Sequence, residues 1–181
     1  MTDLKIECAN CAACCCSAIP VVTDKDVERI VKATGKKPLS FVKMYSQREI
    51  SISNDDQGLV KISRGMRIMG LKQKQGRCIF LSKDNKCTIY PARPMTCRTY
   101  PMDIKIGRKD RIKEIGFQGK ISYKGKTCAA VARIADNGKS LIKDTRKENR
   151  HDRAYWAKCD RWNQAPKQGR KFEKFMEFLG L

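Results

Sequence analysis

The chain is expected to fold as a small, irregular α+β domain stapled by metal, with short strands and hairpins and a C-terminal helical extension. Three observations lead there. Ten cysteines stand in 181 residues, too sparse for a small disulfide scaffold but well above ordinary usage in a reducing compartment. Apolar residues recur at helical spacing near both ends, with short alternating runs between them. The length is that of one ordinary domain, and the pattern changes near residue 135. That change divides a cysteine-bearing part, residues 1–135, from a basic helical extension, residues 136–181, packed on it.

Residues 8–16 read as a knuckle without regular structure. Thr23 is a fitting N-cap for a helix with Asp24 and Asp26 in its first turn and Val27, Ile30 and Val31 on one face. Gly35 ends that helix and Pro38 confirms the stop. A short second helix is expected over Leu39–Tyr45, and a strand over Glu49–Ile52. Strands are also expected over Met66–Leu71, Cys78–Leu81 and Cys87–Tyr90, the last two joined by the turn-forming stretch Ser82–Lys86. Another strand pair is expected over Ile104–Ile106 and Ile112–Ile115, around Gly107. Ser140–Trp162 returns to helical spacing. Phe172, Phe175, Met176 and Leu179 then fall at i, i+3, i+4 and i+7 of a final amphipathic helix, which folds back on the domain or docks another protein.

The chemistry is concentrated in Cys8-x-x-Cys11-x-x-Cys14-Cys15-Cys16, five thiols within nine residues. A Cys-x-x-Cys pair brings two thiolates to one metal while backbone N–H groups donate to the sulfurs. Three thiols stepping by three are similar to the start of a ferredoxin-type loop. Cys78, Cys87, Cys97 and Cys128 follow singly, each where a loop could deliver it to the same site. Adjacent residues point their side chains apart, so Cys14 and Cys15 are expected to serve two neighbouring sites, or one to sit behind the other. Cys16 is left as a spare thiol, and Cys159 is expected to be buried beside Trp156 and Trp162. With a single histidine, His151, expected at the surface, any site is all-thiolate, which disfavours a hydrolytic zinc centre with imidazole ligands. An iron–sulfur cluster, a [4Fe–4S] cluster foremost, or Zn²⁺ fits, with iron–sulfur favoured because the ligands are scattered around one tight trio. Apo protein is expected to be poorly folded, since binding energy at such sites is folding energy.

The run Cys8-x-x-Cys11-x-x-Cys14-Cys15, followed by Cys78-Ile79-Phe80-Leu81, Cys87-Thr88-Ile89-Tyr90, Arg93-Pro94 and Cys97-Arg98-Thr99-Tyr100-Pro101, resembles the YkgJ-type cysteine-cluster family, named for CxxCxxCC and described as a zinc- or iron-chelating domain. The resemblance runs from about residue 8 to residue 128. It implies eight metal-associated cysteines: Cys8, Cys11, Cys14, Cys15, Cys78, Cys87, Cys97 and Cys128. The flagellin lysine N-methylases resemble larger relatives in which the cluster is thought to be iron–sulfur. This chain departs from the pattern at Cys16, at Met102 and in its basic extension. Around the single cysteines, Tyr90, Arg93, Arg98 and Tyr100 either donate hydrogen bonds to sulfur or capture an anion, or they pack against the turns made by Pro91, Pro94 and Pro101.

Charge is the second signal. The chain carries 39 Lys and Arg against 19 Asp and Glu, a formal net charge of +20. Residues 1–60 are balanced, whereas residues 61–135 hold 19 basic and 4 acidic side chains. So one-sided a field favours a polyanionic partner through counterion release. RNA or a ribonucleoprotein such as the ribosome fits better than sequence-read DNA, because no DNA-reading motif is present. An anionic membrane surface is the alternative. Arg146, Arg150, Arg153 and Arg161 share one side of the helix ending at Trp162. With Trp156 they suit phosphate contact and base stacking, or else a solvated helix packed through its tryptophans. No apolar run approaches the roughly 20 residues of a bilayer span and no secretory leader is visible, so a cytoplasmic protein is expected. A cluster-dependent modifying enzyme like the lysine N-methylases is the alternative function, and a redox or metal-delivery protein is another. Neither a glycine-rich methyl-donor loop nor a radical-type cysteine triad is seen.

Overall fold

The computed structural model describes residues 5–7, 11–51, 57–63, 65–100, 102–106, 112–117, 122–123, 126–127, 131–133, 139–166 and 169–181. Strand β1 (Lys5–Glu7) is followed by α1 (Ala13–Ser17), α2 (Asp24–Thr34), α3 (Pro38–Phe41), β2 (Val42–Tyr45), β3 (Val60–Ile62), β4 (Gly65–Leu71), β5 (Gln73–Lys74) and β6 (Arg77–Cys78). Next come α4 (Met95–Thr99), β7 (Met102–Ile106), β8 (Ile112–Phe117), β9 (Ser122–Tyr123), β10 (Lys126–Thr127), β11 (Val131–Arg133), α5 (Lys139–Gln164) and α6 (Phe172–Leu179). The result is mixed α+β: a three-stranded antiparallel sheet in the order β2-β4-β3, with small antiparallel pairs β1-β11, β5-β6, β7-β8 and β9-β10.

Helix α2 forms where expected. The Thr23 hydroxyl accepts the Asp26 N–H at 3.3 Å and the Asp26 carboxylate accepts the Thr23 N–H at 3.1 Å, a reciprocal cap. Gly35 closes the helix in the left-handed region, φ 65°, donating its N–H to the Val31 carbonyl at 2.8 Å. Of the irregular knuckle expected over residues 8–16, residues 13–16 are helical instead: α1 carries Cys14, Cys15 and Cys16 on one turn. The short helix expected over Leu39–Tyr45 stops at Phe41. Val42–Tyr45 instead pairs antiparallel with β4, from Val42 opposite Leu71 to Tyr45 opposite Ile68, because a ladder and a buried face outweigh local propensity. Glu49 and Ile50 lie in a turn, not a strand. There the Glu49 carboxylate accepts the Ser46 N–H at 2.9 Å and pairs with Lys43 at 2.5 Å. Ile52 and Gly107 lie outside the described residues.

Of the expected 78–81 strand only Cys78 lies in one, at the end of β6. A single bridge joins Leu81 to Cys87 across the Ser82–Lys86 turn, and Tyr90–Ala92 winds into a 3-10 turn. Helices α5 and α6 put Tyr155, Cys159, Phe175, Met176 and Leu179 into the same buried cluster as Val27, Ile30, Val42, Val60, Met69 and Leu71. The segment that follows α1 is laid across β4, where Val22 N–H donates to the Met69 carbonyl and Leu71 N–H to the Pro20 carbonyl, both at 3.0 Å. Gly70 permits that approach, since a Cβ there would stand 3.1 Å from the Pro20 carbonyl oxygen and 3.0 Å from Ile19. This crossing anchors the cysteine-bearing turn to the sheet.

Candidate metal centre

Cysteines arrive at one region from four elements. Helix α1 brings Cys14, Cys15 and Cys16, β6 brings Cys78, the Leu81–Cys87 bridge brings Cys87, and α4 brings Cys97. The chain enters α1 through Ala12, a buried residue held at φ 59°, a conformation that costs a side-chain-bearing residue roughly 1–2 kcal/mol. The turn so made lies between Cys11 and Cys14.

The sulfurs of Cys14 and Cys15 lie 3.9 Å apart, contrary to the expectation that neighbours on a chain face away from each other. That spacing suits an S–H···S hydrogen bond, and it also matches roughly 3.8 Å between two thiolates on one tetrahedral ion with bonds of about 2.3 Å. Hydrogen bonding by Cys15 lowers the Cys14 thiol to about 7, with help from the positive charge of Arg93, while the Cys15 thiol is raised by the same bond and by burial. Burial, then the charges of Cys87, Cys14 and Cys16, push the Cys78 thiol up to about 11. The Cys97 thiol is raised by burial, then by Cys78, Cys14 and Cys87. Cys14, Cys15, Cys78, Cys87 and Cys97 therefore repel one another once ionised, and a cation among them would remove that repulsion.

Among the described residues no three ligand side chains are drawn tightly enough to enclose an ion. Cys8 and Cys128 lie outside the described residues, and Cys11 is half-buried at the start of the α1 turn. Cys16 is buried, within electrostatic reach of Cys78. Cys159 is buried in the core below Tyr155, as expected, and burial lifts its thiol to about 12. His151 is half-buried rather than at the surface, with its pKa lowered by burial and then by Lys147.

The residues around the single cysteines divide by role. The Arg93 guanidinium lies over the Tyr90 ring at 3.8 Å, and its buried Nε has no hydrogen-bond acceptor among the described residues. Such a donor fits a metal-bound sulfur, so this arginine and the thiol-only donor set suit an all-thiolate centre. Arg98 turns away to the chain, with Nη2 donating to the Pro91 carbonyl and Nε to the Arg93 carbonyl at 3.4 Å, while Nη1 lies 4.0 Å from Asp144. Tyr100, half-buried, caps the end of α4. Sequence reasoning missed Asp26 and Arg29, which reach across from α2. Arg29 donates to the carbonyls of Ala92 at 3.3 Å and Arg93 at 2.9 Å. Only the helix-start signal marked Asp26, and nothing in one sequence marks its long-range partner.

On α5, Arg150, Arg153 and Arg161 are exposed and Arg146 is half-buried. Lys143 and Lys147, which were not singled out from sequence, are exposed beside them. A cleft of about 290 Å³ is lined by Ile142, Lys143, Arg146 and Arg150. Trp156 packs against the core instead, its ring 3.2 Å from where a Cβ on Gly58 would stand. Lys158 is ion-paired with buried Asp24.

Comparison with known proteins gives the class. The CxxCxxCC family, described as "Putative zinc- or iron-chelating domain", matches residues 7–129. The chain belongs to this family, and its cysteine cluster is that of a metal-chelating domain. Among curated proteins, "Uncharacterized protein MJ0661" of Methanocaldococcus jannaschii is 30% identical over 107 residues, 59% of this chain and 50% of that protein. The chain thus spans about half the length of the curated relative it matches. No solved structure matches it. No helix among the described residues is long and apolar enough to cross a membrane.

Proposed function

We propose that the cysteine cluster holds an iron–sulfur centre and that the outer face of α5 binds RNA or a ribonucleoprotein such as the ribosome. The observation that carries the first part is the number and kind of donors. Cys14, Cys15, Cys78, Cys87 and Cys97 are linked to one another through their charges, with Cys16 acting on Cys78, which is more thiols than a single tetrahedral ion takes, and histidine is absent from the set. A polynuclear centre uses such a surplus, and the buried Arg93 Nε is a donor for its sulfur. Iron, zinc and acid-labile sulfide are measured on protein purified without oxygen. Iron and sulfide in comparable amounts support the reading, and zinc without sulfide refutes it.

The second part is supported by charge placed on one helix face. Lys143, Lys147, Arg150 and Arg161 project within a sector of about 60° at 3.6 residues per turn. Arg153 flanks them, and small exposed Ala154 and Ala157 lie between them. With Trp156 packed inward, contact is to phosphates rather than to stacked bases. Five phosphate contacts give a log–log salt slope of about −3.5 on single-stranded RNA. A slope near zero, or no binding, refutes this part.

A further inference from the structure

We propose that Asp26 is the positioning residue of the metal centre: with Arg29 it fixes the turn from Ala92 to Met95 against α2, so that Arg93 and Cys97 meet the thiols of α1 in one geometry. The inference rests on the metal reading of those thiols.

The buried Asp26 carboxylate has two separable tasks. Oδ2 serves its own helix, accepting the Thr23 N–H at 3.1 Å and the Thr23 hydroxyl at 3.2 Å. Oδ1 serves the site: it accepts the N–H of Met95, the first residue of α4, at 3.1 Å, together with Arg29 Nη2. A helix cap requires only the first oxygen. The second reaches 69 residues along the chain to one of the orphan donors at the start of the helix that carries Cys97. Arg29, held by Asp26, completes the clamp through the Ala92 and Arg93 carbonyls. Arg98 Nε also donates to that Arg93 carbonyl, at 3.4 Å. Two guanidinium groups and one carboxylate therefore hold the backbone that carries Arg93, whose charge acts on Cys14, and that runs on to Cys97. Charge-assisted bonds of this kind are the stronger ones, and groups that orient metal ligands act on affinity without touching the metal.

The test compares the wild-type full chain, loaded with its metal without oxygen, with Asp26→Asn, Arg29→Gln and Thr23→Ala. Metal release to a chelator and the visible and paramagnetic spectra are recorded beside urea stability. Thr23→Ala removes the cap hydroxyl but leaves both Oδ1 contacts, so it controls for loss of helix stability. Asp26→Asn and Arg29→Gln are expected to release metal about tenfold faster or more, as losses of ligand-orienting partners do, with altered spectra. Thr23→Ala is expected to keep the wild-type rate and spectrum. Wild-type release from both site variants, or equal effects from Thr23→Ala, overturns the proposal. Should Asp26→Asn fail to fold, Arg29→Gln, at the half-exposed end of the clamp, decides the matter alone. A wild-type chain that takes up no metal overturns the metal reading and this proposal with it. Metal held equally by wild type and variants overturns this proposal alone.

Discussion

Glu148→Gln is expected to stabilise the chain at pH 8 by about 3 kcal/mol and by less than about 1 kcal/mol at pH 5. Glu148 is half-buried on α5. Burial first, then the charges of Asp152, Asp26 and Asp144, raise its carboxyl to about 7, against a hydrogen bond from Thr99 that lowers it. The unfolded group titrates near 4.5, so the folded chain favours the protonated form. The resulting stability is fully present below about pH 4.5 and is lost as pH rises through about 7. A rise from 4.5 to about 7 at about 1.4 kcal/mol per pH unit gives the 3 kcal/mol. Gln keeps the shape and carries no charge, so its advantage grows with pH. Urea unfolding of both proteins at the two pH values measures it, and the difference between variants cancels the titration of the thiols. An advantage that is constant with pH, or that shrinks toward pH 8, refutes the burial argument. Asp152, raised to about 6 mainly by burial and next by Asp26, gives Asp152→Asn the same sign, and the two effects are not additive because the groups interact.

Cys97→Ser is expected to lose most bound metal, by elemental analysis, and to unfold at lower urea, because metal binding and folding are coupled. Cys159→Ser, in the core below Tyr155, is expected to keep full metal content while losing about 1–3 kcal/mol of stability to a polar group in an apolar site. Trp156→Ala is expected to lose about 3 kcal/mol or more of stability through the cavity left beside Gly58, with RNA affinity per folded molecule unchanged. Lys147→Glu with Arg150→Glu reverses that pattern, with stability within about 0.5 kcal/mol of wild type and a salt slope made shallower by the loss of two of the five phosphate contacts.

Much of the fold was legible because its signals are local. Thr23 and Asp26 cap α2, Gly35 stops it, and Phe172, Phe175, Met176 and Leu179 face inward except for half-buried Phe172. The 104–106 and 112–115 pairing lies inside β7 and β8. Failures came where a distant partner decides. Val42–Tyr45 is a strand because β4 lies beside it, and α1 is helical although three successive cysteines carry no helix signal. Cys14, Cys15, Cys78, Cys87 and Cys97 stand out as candidate ligands by their spacing and the resemblance, and the fold brings them to one region. Asp26 and Arg29 do not stand out, since the Met95 N–H and the Ala92 and Arg93 carbonyls they meet are backbone groups that every residue carries. Trp156 looked like a stacking platform by its place beside arginines, and only packing against Gly58 shows which way it turns.

X-ray absorption at the iron edge of anaerobically purified protein tests the central claim most directly, because it reads the atoms bound to the metal. The account predicts a sulfur-only shell, with scattering from a second iron at short range. Nitrogen or oxygen in the inner shell, an isolated iron, or signal only at the zinc edge would contradict it.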